Sequence, residues 1–227
     1  MTTIKRRRMP LVLVLIAVAA MLTTLLPAYG NSRSHPSSMT MSMAAPVNAR
    51  QAALHTKMRS LWSQHMEWTY ATVVALAAGS PGLQPTINRL MRNQTDIGNV
   101  VKPFYGKAAG KHLTALLKNH IADAVPVLVA AKEGDAAALG TAVKIWYRNA
   151  KRIGDFLAKA NPNWHKRAME QMMKTHISQT IAYASDQLQG KYTRSIKDYG
   201  RAEAHMMTMS DMLSTGLIKQ FPGRFRK

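Results

Sequence analysis

The stretch TAVKIWYRNAKRIGDFLAKA, residues 141–160, decides the fold. Ala142, Trp146, Ile153 and Phe156 recur at spacings of four, seven and three, which is one stripe of an α-helix. Lys144, Arg148, Lys151 and Asp155 fall on the opposite side. One residue breaks the pattern, since Asn149 lies inside the apolar stripe. A buried amide needs a partner, because an unpaired polar group in the interior costs roughly 1–3 kcal/mol.

The same helical period runs outward in both directions. It predicts helices over 49–78, from 81 to about 102, over 107–132, from 136 to about 159, over 164–189 and over 192–217. The first buries Met58, Leu61, Trp62 and Val73, and GSPG at 79–82 ends it, with Ser80 and Pro81 as the cap and first-turn residue of the next. KPFYG at 102–106, Gly134, ANPNW at 160–164 and Gly190 supply the other breaks, Asp135 is a cap, and Pro126 should kink the third helix. No stretch alternates at period two. The expected fold class is all-α: a six-helix antiparallel bundle of three helical hairpins, with an N-terminal signal or anchor helix.

Shifting the sequence by 56 places residues 92–121 on 148–177 without gaps, so that RNQTDIG meets RNAKRIG and LLKNHI (116–121) meets MMKTHI (172–177). With a slip of one, His65 in LWSQHM joins the series, and a further shift puts His205 on Asn149, an internal repeat of three hairpins. Each hairpin thus carries a histidine on its first helix, His65, His120 or His176, and Asn93, Asn149 or His205 on its second. Counted from the turns, His120 levels with Asn149 and His176 with His205. These six residues are the candidate binding layer.

Two readings of that layer stay open. In one, the imidazoles bond to amides or water and fix helix register, as buried polar residues do in coiled coils. In the other they hold a transition metal, Zn, Cu, Fe or Ni, through neutral imidazole nitrogens. A ferritin-like di-iron site is excluded, since Glu67, Glu133, Glu170 and Glu203 have no histidine three residues on. The sixteen methionines suggest copper only in the segment Met39, Met41, Met43; in the repeats Met172 and Met173 align with Leu116 and Leu117, Met209 with Ile153 and Ile97, and Met212 with Phe156 and Val100, and these read as core filler.

Catalytic patterns are sparse. The chain has no cysteine, no G-x-S-x-G, no H-E-x-x-H and no Gly-rich phosphate loop, and its aspartates single out no acid–base pair. An enzyme of unknown class remains one alternative, a metal-binding protein the other.

Charge bears on location. The formal net charge is +20 over 227 residues. Lys5–Arg8 precede an apolar run over 11–26, followed by Ala28 and Gly30, which reads as an export signal cleaved near Gly30 or a retained membrane anchor. Residues 31–48 read as a Ser/Pro/Met-rich tether, 49–219 as the bundle and 220–227 as a basic tail. Without cysteine the exported domain rests on packing alone. Lys144, Arg148, Lys151 and Arg152 form a basic stripe with few carboxylates near in sequence, so the expected partner is an anionic envelope polymer or lipid surface, with no nucleic acid.

LWSQHMEWT, RLMRNQTDIG, KPFYG, LTALLKNHI, WYRNA, ANPNW and KQFPGRF together resemble a family of exported or membrane-anchored helical proteins of spore-forming and related bacteria, over about residues 54–225. Members are sometimes labelled glycosyltransferase or acetylglutamate kinase. No nucleotide-binding pattern in this sequence matches either label. The resemblance implies an export-linked helical domain and carries over no functional residues. The expected function is that of an extracytoplasmic, non-enzymatic bundle that binds a ligand or envelope component.

Overall fold

The computed structural model describes residues 48–226. The signal or anchor over 1–30, the tether up to residue 47 and Lys227 lie outside the described residues. The described chain forms five helices: α1 Ala49–Ala78, α2 Leu83–Glu133, α3 Ala136–Ala160, α4 Lys166–Leu188 and α5 Tyr192–Gln220, followed by a short 3-10 turn, Pro222–Phe225. Among the described residues there is no strand.

The helix ends follow from local chemistry. Asn48 caps α1 by accepting from the Gln51 amide at 3.1 Å, and Asp135 caps α3 by accepting from the Ala138 amide at 2.9 Å. Gly79, Gly134 and Gly190 close the tips in the left-handed conformation, with φ of 64°, 73° and 72°. Ser80 and Pro81 do not begin α2, as the sequence suggested. Ser80 instead accepts from the Gly82 amide at 3.0 Å within a turn, and the helix starts at Leu83.

A second difference concerns the expected second and third helices. They form one element of 51 residues whose backbone leaves helical angles at Gly106, with φ 84° and ψ 168°. Pro126 lies inside the helix without such a departure. Gly106 divides α2 into two arms, 83–105 and 107–133. The arms meet at Gly98 and Gly110, where a Cβ on either glycine would lie 2.8 or 2.7 Å from the other's carbonyl oxygen. Only backbone that bare lets the two arms approach so closely.

Each helix packs on its neighbours in sequence, and α5 returns to α1, so the elements close into a ring with α4 also touching α1 and α2. The tips at 79–82, 134–135 and 189–191 stand at one end. The other end holds the chain entry at Asn48, the Gly106 turn, the α3–α4 connection and the C-terminal turn. By length and composition α2 could cross a membrane, but Leu113, Leu117 and Ile121 on it are buried in the bundle core.

The glycines give a direct test of this packing. Gly98→Val should destabilise the protein by about 1–3 kcal/mol, because its side chain meets the Gly110 carbonyl oxygen, fixed backbone, as well as the Thr114 side chain. Gly140→Ala, a helical site with open space around it, should stabilise by about 0.4–1 kcal/mol. Equilibrium denaturation of both variants checks the contrast; equal effects would mean that the arms do not meet as described.

Candidate functional site: a buried histidine–asparagine layer

The polar residues that interrupt the apolar stripes come together at mid-height. His65, Asn93, His120, Asn149 and His176 are buried, and His205 is half-buried. The His176 ring lies between the other two, 5.5 Å from His65 and 5.8 Å from His120, centroid to centroid. Trp62 and Trp146 flank the group, 5.7 Å from His65 and 5.3 Å from His120.

Three hydrogen bonds of one kind join neighbouring helical segments. The Asn93 amide donates to the Leu61 carbonyl at 3.0 Å, the Asn149 amide donates to the Leu116 carbonyl at 3.1 Å, and His205 Nε2 donates to the Met172 carbonyl at 3.0 Å. Each acceptor lies four residues before the layer histidine of its own helix, where the carbonyl's second lone pair is still available.

The histidines differ in wiring. Asn149 Oδ1 can only accept, so His120 carries its proton on Nδ1 and donates across 2.9 Å. Its Nε2 lone pair is buried without a protein partner. At His65 the roles reverse, because Gln94 Nε2 donates to Nδ1 at 3.2 Å while also lying 3.2 Å from Asn93 Oδ1 and 2.9 Å from the Leu90 carbonyl. His176 Nδ1 has no protein partner, nor do Gln94 Oε1 and the indole nitrogens of Trp62 and Trp146.

Burial holds all three imidazoles neutral. It depresses His65 to about 3, helped by His120 and opposed by the Gln94 bond. It lowers His120 to about 4 against the Asn149 bond. His176 falls well below the usual histidine range, through burial and then through His65, His120 and His205. At neutral pH such imidazoles carry only their single N–H, with no imidazolium proton to give up, and they are poor bases.

As a metal centre the layer would need nitrogens converging on one point. Among the described residues no group of three or more His, Cys, Asp or Glu side chains is so disposed. The layer's histidines and asparagines, His205 apart, are buried among core side chains. An enclosed apolar void of about 20 Å³ adjoins it, between Trp62, Leu117, Trp164 and Met173, enough for about one water.

Two other constellations were not legible in the sequence. His55, Asp211 and Ser214 meet between α1 and α5, a Ser/His/Asp set by composition. Yet Ser214 Oγ, at 2.8 Å, and Asp211, at 3.8 Å, both approach the same ring nitrogen, His55 Nδ1, so no proton path runs through the ring. Buried Asp211 pairs instead with the Arg59 guanidinium, Nε donating at 2.7 Å. An open groove of about 480 Å³ lies between α2 and α3, lined by Asp123, Pro126, Thr141 and Ile145 among others. Asp123 is its one titratable group; burial raises it, against Arg152 and Arg148.

The second set is the end opposite the tips, where KPFYG, ANPNW and KQFPGRF converge. Tyr105 donates to Gln220 Oε1 at 2.6 Å and accepts from the Asn161 amide at 3.0 Å. Burial pushes its hydroxyl up to about 12 against the Asn161 bond. Trp164 packs on Gly216, where any Cβ would collide with the indole. Turn residues carry no period, so nothing in spacing foretold this meeting.

On the basic stripe, Lys144, Arg148, Lys151 and Arg152 are all exposed. Lys151 is not free for a ligand, contrary to the expectation that carboxylates are remote. It bonds Asp155 at 2.7 Å and Glu170 at 3.0 Å, and Lys166 joins the same pair of carboxylates. Lys151 and then Lys166 hold the Asp155 carboxyl down to about 2. Asp155 lies four residues on in α3, whereas Glu170 comes from α4, which the spacing along α3 does not reveal.

With this geometry in hand, comparison with protein-family models, curated proteins and solved structures finds no match to the chain.

The layer predicts acid sensitivity. The folded pKa values lie below the unfolded value near 6.5, so the unfolded chain binds more protons below that pH. Stability is fully present above about pH 6.5 and falls as pH drops towards 4 and 3, by about 1.4 kcal/mol per pH unit for each histidine. His176→Gln should make the slope shallower by one proton, read from denaturant unfolding between pH 7 and 4. Asn149→Ala should cost about 1–3 kcal/mol at pH 7, since it strands His120 Nδ1.

Proposed function

We propose that the chain is an extracytoplasmic, non-enzymatic helical bundle that binds an anionic envelope component through its surface charge, with the His/Asn layer as its structural lock. The observation that carries this reading is the unequal division of charge about the layer. Of the 25 Lys and Arg between residues 48 and 226, sixteen lie on the entry side of the layer, in 48–64, 94–119, 150–175 and 206–226. Only four of the eleven carboxylates, Asp96, Asp155, Glu170 and Asp211, lie there with them. The entry half therefore carries +12 and the tip half +2. Asp155, Glu170 and Asp211 are already engaged in ion pairs.

Such an excess attracts a polyanion and does nothing to specify a reaction. The export-type segment over 1–30 supports an extracytoplasmic location, and the resemblance to exported helical proteins agrees with it. The neutral, enclosed histidines and the single carboxylate of the open groove support a binding rather than a catalytic role. We also read the three hairpins as repeats of one unit, making six helical segments when the α2 arms count separately. Supporting this, the glycines at 79, 134 and 190 each follow a layer histidine by 14 residues, and the three crossing bonds recur in register.

Retention of the detergent-solubilised full chain on an immobilised polyphosphate matrix tests the reading. Binding should fall steeply between 0.05 and 0.5 M salt, as expected for exposed charges screened over about 10 Å or less. Lys159→Glu with Arg167→Glu should weaken it several-fold more than Lys197→Glu with Arg201→Glu on the tip half. Equal losses, or salt-insensitive retention, would count against the proposal.

A further inference from the structure

The entry end combines three features that are separate in sequence. The first is where the chain begins: the Asn48 amide donates to the Phe225 carbonyl at 2.6 Å, and the Arg50 guanidinium donates to the Arg226 carbonyl at 2.8 Å. The described chain therefore starts at the end face, beside the C-terminal turn. The second is an aromatic cap. Phe104 lies 5.4 Å from Phe221 and 6.0 Å from Phe225, and Tyr105 lies 5.3 Å from Phe221, ring to ring. Phe104, Tyr105 and Phe221 are only half-buried, and Pro103, Pro222 and Gly223 beside them are exposed.

The third is uncompensated charge. Lys107, Lys159, Lys219, Arg224 and Arg226 are exposed at this end, and none takes part in an ion pair among the described residues. Arg224 lies over the Phe104 ring at 5.6 Å, leaving its guanidinium without a carboxylate. Aromatic rings set among lysines and arginines are the composition of a membrane–water interface: the rings sit at headgroup depth and the cations meet anionic lipid.

Resting on the envelope-binding reading above, we propose that this end face docks on the anionic lipid surface of the membrane that holds the N-terminal segment. The chain's own length favours that occupant. Seventeen residues separate position 30 from Asn48, a span of at most about 60 Å when fully extended. A retained segment over 11–26 thus keeps the end face within reach of that one surface and raises its effective concentration there. The tips, at the far end of the bundle, point away.

The absence of cysteine makes the orientation measurable, because one introduced thiol reports one place. The full chain is reconstituted into vesicles of phosphatidylcholine, with or without about one-third phosphatidylglycerol, carrying an environment-sensitive label at Gly223→Cys or Ala78→Cys. Gly223 has open space for a side chain, and Ala78 is exposed at a tip. With the anionic lipid the label at 223 should shift to the blue and lose several-fold of its iodide quenching, reverting at 0.5 M salt. The label at 78 should not change. Lys219→Glu with Arg224→Glu should abolish the response, whereas Lys197→Glu with Arg201→Glu should keep it; matching circular dichroism shows that each variant is folded.

A label at 223 equally quenched in both lipids, or shielding at 78 instead, overturns the docking. If soluble polyphosphate shields 223 as well as anionic vesicles do, the occupant is a free polyanion and the lipid proposal fails while the binding reading stands. Loss of salt-sensitive polyphosphate retention removes the binding reading itself.

Discussion

A carbonyl oxygen that accepts a second hydrogen bond holds this bundle in register. At three places a side chain from a neighbouring helix reaches the carbonyl one turn before the layer histidine, at Leu61, Leu116 and Met172. Apolar stripes alone tolerate sliding by a turn, since leucine packs on leucine at many offsets. A directed bond of about 3 Å does not. Sliding any helix by one turn would strand an amide, a ring nitrogen or both in the core, each at a cost of about 1–3 kcal/mol.

That constraint also explains which features could be read in advance. Asn149 was visible because it interrupts a stripe of strong period, and the histidines because they recur at nearly constant distance. The helix over 49–78 was legible to the residue, since Asn48 and Gly79 are strong caps. The place of the break in α2 was legible too, though not its form: KPFYG reads as a stop, and the chain leaves helical geometry there at Gly106 alone, while Pro103 stays within the helix. Gln94 went unremarked beside Asn93, although it supplies the bond that sets the His65 tautomer. Neighbouring positions of a helix differ by about 100°, and only contact with a second helix shows that both can face inward.

The surface was harder still. Period reveals which side of a helix is wet but not which wet side chains from different helices meet. Lys151 is held by Glu170 from another helix as well as by Asp155 on its own; Asp211, one of seven aspartates that spacing does not tell apart, is buried against Arg59. The three aromatic turn motifs lie far apart in sequence yet form one construction, joined through Tyr105, Asn161 and Gln220. Charge polarity emerges only when the layer supplies a plane about which to count.

The bonds from Asn48 to Phe225 and from Arg50 to Arg226 bring the two ends of the folded chain together. Since α5 also lies along α1, the bundle is a loop in which the gap between last and first helix is packed like any other. A loop has no privileged starting point. The same fold admits a chain opened at Gly79, Gly134 or Gly190 and rejoined across the old ends, so the order in which its segments are written is a matter of history rather than of mechanics.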